Sequence, residues 1–99
     1  MNEEPFGPLA LISRFSTFDE VAEEANRLPY GLASYAFTSS TKTATAIGSA
    51  IESGMVSINS FGLALPEVPF GGVKDSGYGH EGGIEGLEAY MVKKFISQA

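Results

Sequence analysis

Apolar and polar positions change period several times along this chain, and each change marks an element. Met1 to Pro8 carries two prolines and a glycine and reads as irregular. Leu9 to Phe15 (Leu-Ala-Leu-Ile-Ser-Arg-Phe) is a mostly apolar run of strand length, suited to burial on both faces. Periodicity alone also allows a short helix there, but Pro8 and Ser16-Thr17 bound the run tightly. From Thr17 the period becomes helical. Thr17 with Glu20 forms a capping box, Phe18, Val21, Ala22, Ala25 and Leu28 share one face, and Pro29 stops the helix. Pro29-Tyr30-Gly31 is a turn, and Ser34 to Thr38 is a strand by its aromatic and β-branched content. Ser39, Ser40 or Thr41 caps a second helix whose narrow face is Ala44, Ile47, Ala50 and Ile51, with Gly54 as its left-handed C-terminal cap. Met55 to Asn59 alternates as a third strand. Ser60 to Val68 is an apolar loop, Ile84 to Ala89 a short helix, and Tyr90 to Ser97 a final strand.

Strands alternating with helices imply parallel pairing through right-handed crossovers, so the expected fold class is α/β, a mostly parallel sheet of βαβ units with a C-terminal extension strand. Ligands of such sheets gather at the carboxyl ends of strands, which puts the loop after Asn59 on the ligand side. The apolar first strand would need more sheet around it than this chain supplies.

Between Pro69 and Gly83 the pattern gives way to half of the chain's glycines, interleaved with Phe70, Lys74, Tyr78, His80 and Glu81. A flexible linker has no use for those side chains, so the stretch reads as an ordered loop whose backbone approaches other groups closely. Gly77 to Gly82 fits G-x-G-x-x-G. No strand runs directly into it, no long helix leaves it, and no acid follows about 20 residues on, so it is not read as a dinucleotide fingerprint. Lys74-Asp75-Ser76 brings a base, an acid and a hydroxyl together, but neighbours in sequence do not make a catalytic triad, and Lys74 is read as tying down the loop. The single histidine, His80, is no metal site, and none is expected. Glu3 and Glu4 read as a solvated acidic terminus on composition alone. Phe61, Leu63 and Leu65 read as core or as pocket lining.

Composition narrows the classes. The 99 residues make one domain at most, with a modest core. A net charge of −6 argues against a nucleic-acid partner. No apolar run reaches the roughly 18 residues of a membrane span, and no secretory signal is visible. No cysteine is present, which removes disulfides, thiolate metal sites and a cysteine nucleophile from this chain and favours the cytoplasm.

Several ordered motifs at matching spacing resemble the C-terminal part of an NAD(P)-dependent aldehyde dehydrogenase, from Glu3 to about Gln98. They are Glu3-Glu4-Pro5-Phe6-Gly7-Pro8; Ala25-Asn26 with Tyr30-Gly31-Leu32 and Ala36-Phe37-Thr38; Gly54 to Asn59; and Pro69-Phe70-Gly71-Gly72 with Lys74, Ser76-Gly77, Gly79, Glu81 and Gly82. The resemblance implies that residues 1–89 belong to the catalytic domain of a larger enzyme and 90–99 form a strand used in subunit assembly, giving a homo-oligomer. It implies oxidation of an aldehyde to a carboxylic acid with NAD or NADP. Glu4 matches the glutamate that bonds the nicotinamide ribose, and Phe6 the aromatic residue beside the nicotinamide. Phe61, Leu63, Ala64, Leu65 and Phe70 match the substrate tunnel. Asn59, Gly71, Gly72, Lys74, Ser76, Gly77, Gly79 and Glu81 match the structural loop.

The departures matter as much. The family's cysteine nucleophile, general-base glutamate, oxyanion-hole asparagine and dinucleotide-binding domain lie upstream of the matched part, so no residue here is expected to be catalytic and the segment alone is not expected to hold the cofactor tightly. His80 stands where the family has an arginine. The wording around Tyr78 and Glu81-Gly82-Gly83 is similar to succinate-semialdehyde dehydrogenases, yet Phe61 to Val68 lacks the serine by which some of them hold a substrate carboxylate. A second reading is a stand-alone binding or assembly module that keeps the family's fold without catalysis.

Overall fold

The structure is a computed structural model, and it describes residues 2–99. Helix α1 spans Phe18–Asn26. The Thr17 hydroxyl accepts from the Glu20 amide at 3.2 Å, and the Glu20 carboxylate accepts from the Ser16 amide at 2.8 Å. The reciprocal cap expected from Thr17 and Glu20 is therefore made, with the carboxylate reaching one residue further back. Helix α2 spans Thr41–Ala50, and Ser40 is its cap, accepting from the Thr43 amide at 3.2 Å.

Four short strands follow the helices' lead. Strand β1 is Tyr30–Gly31, β2 Ala33–Ala36, β3 Met55–Ile58 and β4 Val73–Lys74. Strands β2 and β3 are parallel, joined through α2, with Ala33 opposite Met55 and Ala36 opposite Ile58. Strands β1 and β4 are antiparallel, with Tyr30 opposite Lys74. A 3-10 helix covers Glu85–Tyr90, close to the short helix expected over 84–89.

Some expectations are corrected, and others are not met within this single chain. Leu9 to Phe15 joins no helix or strand; Ile12 is 92% exposed. Tyr90 to Ser97 ends the 3-10 helix and then runs unpaired, with Val92 and Phe95 exposed. Both runs have strand composition, but a strand exists only against a neighbour, and neither finds one among the described residues. Gly54 is not a left-handed cap. Helix α2 ends at Ala50 with Ile51 extended, and Gly54 is absent from the positive-φ residues. Its lack of a side chain serves a close approach instead: a Cβ there would strike the Gly71 carbonyl. The Pro29-Tyr30-Gly31 turn contains β1, whose partner β4 lies inside the glycine loop.

The two faces of the β2–β3 pair differ. Met55 and Ser57 are buried on one face; Val56 and Ile58 are half-buried on the other. Phe18, Val21 and Ala25 of α1 and Thr43 and Ile47 of α2 line a groove of about 710 Å³ along β2. The helices' apolar faces thus remain largely open. Total exposed surface is 8418 Å², against about 5,400 Å² for a compact protein of this mass.

Candidate functional site

The glycine loop is built from both ends. Phe70 and Glu81 exchange backbone hydrogen bonds at 2.6 and 2.8 Å, closing the loop at its base. In its middle, β4 and the turn after it are fastened to the segment following α1. The Asp75 amide donates to the Pro29 carbonyl at 2.8 Å, and the Gly31 amide donates to the Ser76 hydroxyl at 2.9 Å. Lys74 has φ 56, and its ammonium donates to the Asn26 carbonyl at 3.2 Å and pairs with Glu52 at 2.7 Å. Gly82 requires glycine on two counts: its φ is +68, and a Cβ would lie 2.7 Å from the Val68 carbonyl oxygen. Phe70, Gly71, Gly72, Ser76, Gly77, Gly79 and Glu81 all line one shallow depression of about 630 Å³. Of the structural-loop residues expected from the sequence, Gly71, Gly72, Ser76, Gly77, Gly79 and Glu81 thus share one depression, and Asn59 and Lys74 do not line it.

The tunnel-loop residues start from Asn59. It sits at φ 57, and its amide group brackets Thr38: Oδ1 accepts from the Thr38 amide at 2.8 Å and Nδ2 donates to the Thr38 carbonyl at 2.9 Å. Asparagine tolerates the left-handed region better than most residues, and here its side chain continues the β2–β3 ladder by one step. Buried Ser57 donates to the Ser60 carbonyl at 2.9 Å, which shapes the following turn. The turn carries Phe61 to Tyr35 and Phe37, with ring centroids 5.9 and 5.2 Å apart. Leu63 is half-buried; Ala64, Leu65 and Phe70 are exposed.

Glu4 and Phe6 lie apart from both groups. Glu4 lines a separate concavity with Glu3, Pro5, Leu11, Ile12 and Tyr30, and Phe6 is 94% exposed. Arg27 ties this turn to α1 by donating to the Asn2 side-chain oxygen at 2.9 Å. The Arg27 hydrogen bonds also hold the Glu24 carboxyl below its ordinary range. The concavity that Glu4 lines holds none of the expected tunnel residues. The chemistry of the first group still fits the ribose end of a nicotinamide nucleotide: a carboxylate accepts from vicinal hydroxyls, and an open ring offers a flat face. Among the described residues there is no cluster of His, Cys, Asp or Glu able to hold a metal ion, and no helix is long and apolar enough to cross a membrane.

Two contributors were not legible as site residues. Asn26 bridges α1 to the α2–β3 connection, donating to the Ala50 carbonyl at 2.8 Å and accepting from the Glu52 amide at 2.9 Å. Glu52 looks like a solvated acid in sequence. Its pairing with Lys74 spans a distance that no local pattern encodes.

Comparisons with known proteins bear on the family and the fold. A model of the aldehyde dehydrogenase family matches residues 1–96. A 4-(hydroxymethyl)benzenesulfonate dehydrogenase of Comamonas testosteroni is 50% identical over 97% of this chain and 20% of its own length. The NADP-dependent succinate-semialdehyde dehydrogenase of Saccharomyces cerevisiae is 45% identical over 96% of this chain and 19% of its own. Among solved structures, a betaine aldehyde dehydrogenase mutant of Staphylococcus aureus in complex with NAD+ superposes with a TM-score of 0.88 at 40% identity, over 94% of this chain and 19% of that one. The chain therefore spans about a fifth of the length of the curated relatives it matches.

Proposed function

The chain belongs to the aldehyde dehydrogenase family, and from that membership we propose that it supplies the cofactor-positioning and substrate-tunnel part of an enzyme that oxidises an aldehyde to a carboxylic acid with NAD or NADP. The family match over residues 1–96 carries this reading. In it, residues 1–89 complete a catalytic domain and 90–99 pair with another subunit, giving a homo-oligomer.

The residues have separate tasks. Glu4 accepts hydrogen bonds from the ribose hydroxyls and fixes the orientation of the nicotinamide end. Phe6 packs against the ring and keeps water from that face. A nicotinamide held there would supply the hydride acceptor. Asn59 sets the direction of the loop carrying Phe61, Leu63, Ala64 and Leu65, and with Phe70 these exclude water from the aldehyde's path. An apolar wall orients a substrate without competing for its carbonyl. The nucleophile comes from outside this chain, which has no cysteine.

Substrate class follows in the same terms. The benzenesulfonate and succinate-semialdehyde relatives are named for compounds bearing one acidic group apart from the alcohol or aldehyde, which supports an aldehyde with a distal anion, a semialdehyde among them. Phe61 to Val68 holds neither serine nor cation, so partners for that anion lie outside this loop.

An absorbance assay for NADH or NADPH tests the reading. The 99-residue chain is expected to show no turnover with any aldehyde, because covalent catalysis needs the missing nucleophile. The complete enzyme carrying this segment is expected to oxidise succinate semialdehyde or a sulfonated aldehyde. Turnover that co-purifies with the 99-residue chain, or no turnover by the complete enzyme, overturns it.

A further inference from the structure

We infer that Lys74 is a positioning residue that sets the glycine loop, and with it Phe70, by fastening the loop to the end of α1 and to the α2–β3 connection. The first observation is where its backbone sits. Lys74 has φ 56, in the left-handed region where Gly79, Gly82 and Gly83 of the same loop also lie. The loop otherwise uses glycine for this conformation because a Cβ there crowds the following carbonyl. A lysine bears a cost that a glycine would avoid, so its side chain has to return more than it loses.

The second observation is what that side chain reaches. Its ammonium, on a side chain only 27% exposed, donates to the Asn26 carbonyl at the C-terminus of α1 and pairs with Glu52. A helix's last carbonyls lack intrahelical partners and carry partial negative charge, so a cation there is favoured. Helix α1 has no basic residue of its own in its last turn. Asn26 in turn accepts from the Glu52 amide and donates to the Ala50 carbonyl. Lys74, Asn26 and Glu52 thus form a closed ring of contacts joining three elements.

Movement at this ring passes to Phe70 along a short and crowded path. Only three residues separate the two. Of these, Gly71 lies against Gly54, and a Cβ on Gly72 would sit 2.7 Å from the Ser76 side chain. Backbone packed this closely has little freedom to absorb a shift. The consequence for aldehyde handling rests on the function proposed above; the consequence for loop order does not.

The role of Lys74 is tested by substitution. Lys74→Gly relieves the backbone and removes the ammonium; Lys74→Arg keeps a cation. Amide hydrogen exchange in the complete enzyme reads loop order at Phe70, Asp75 and Glu81. Lys74→Gly is expected to speed exchange there about tenfold, and Lys74→Arg to stay within about threefold of the parent. In the complete enzyme, Lys74→Gly is expected to raise the aldehyde KM about tenfold while kcat changes by less than about threefold, with Lys74→Arg restoring KM. Exchange that is unchanged or slower in Lys74→Gly, or amides already unprotected in the unsubstituted enzyme, overturns the fastening. Faster exchange with unchanged KM overturns the effect on Phe70. A complete enzyme with no aldehyde oxidation overturns the functional reading alone, and the exchange rates still decide the fastening.

Discussion

Glu4 shows how far a single residue can be read. Composition makes it a solvated acid, and the structure leaves it exposed in a concavity beside Pro5 and Tyr30. Only the motif around it suggests a ribose. In the complete enzyme Glu4→Gln is expected to cost about 1–3 kcal/mol of cofactor binding or turnover, because a charged acceptor bonds a hydroxyl more strongly than a neutral one. Kinetics at unchanged thermal stability check this, and equal cofactor KM and kcat would refute it. Asn59 was more legible than Glu4. It closes a strand pattern, and asparagine suits the left-handed turn found there. Ser57 was less so. Its alternation marks a strand face, yet nothing local tells that its hydroxyl shapes the next turn. Glu52 and Lys74 meet across the fold; the sequence reads Lys74 as tying down its loop, and nothing local names Glu52 as its partner.

At the scale of elements, helices were read well because their signals are local. Thr17 and Ser40 cap where cap residues should, and Pro29 lies just beyond the helix it ends. Strands were read less well because their existence depends on partners. Leu9 to Phe15 has the right composition and no neighbour; Val73–Lys74 has only two residues and does have one. The glycines divide along the same line. Gly48 lies inside α2 with open space around it, whereas Gly54 presses on Gly71 and Gly72. Gly48→Ala is therefore expected to stabilise by about 0.5–1 kcal/mol through helix propensity, and Gly54→Ala to destabilise by about 1–3 kcal/mol through backbone overlap. Denaturant midpoints of the complete enzyme compare them; the same sign for both variants would show that the close approach at Gly54 is not what holds the loop.

For the molecule as a whole, the modest core expected of 99 residues is nearly absent. Among the described residues only Gly31, Met55 and Ser57 are buried. The radius of gyration is 17.4 Å, against about 13 Å for a compact domain of this length. The sequence carries enough apolar residues for a core but too few elements to enclose one. Open strand edges and uncovered helix faces recruit whatever complementary backbone is near, and Lys93 and Lys94 offer only slight opposition. The 99-residue chain made alone is expected to self-associate, by light scattering across a range of concentrations. A monodisperse monomer at high concentration would show that it closes its own edges. The sparsely buried β2–β3 pair also changes what stability means for this chain. A protein with its own interior has a folding free energy independent of dilution. For the 99-residue chain made alone, any partner that covers those faces links folding to binding, and mass action governs it: once that partner exceeds its dissociation constant, each further tenfold in its concentration adds about 1.4 kcal/mol to the folded state.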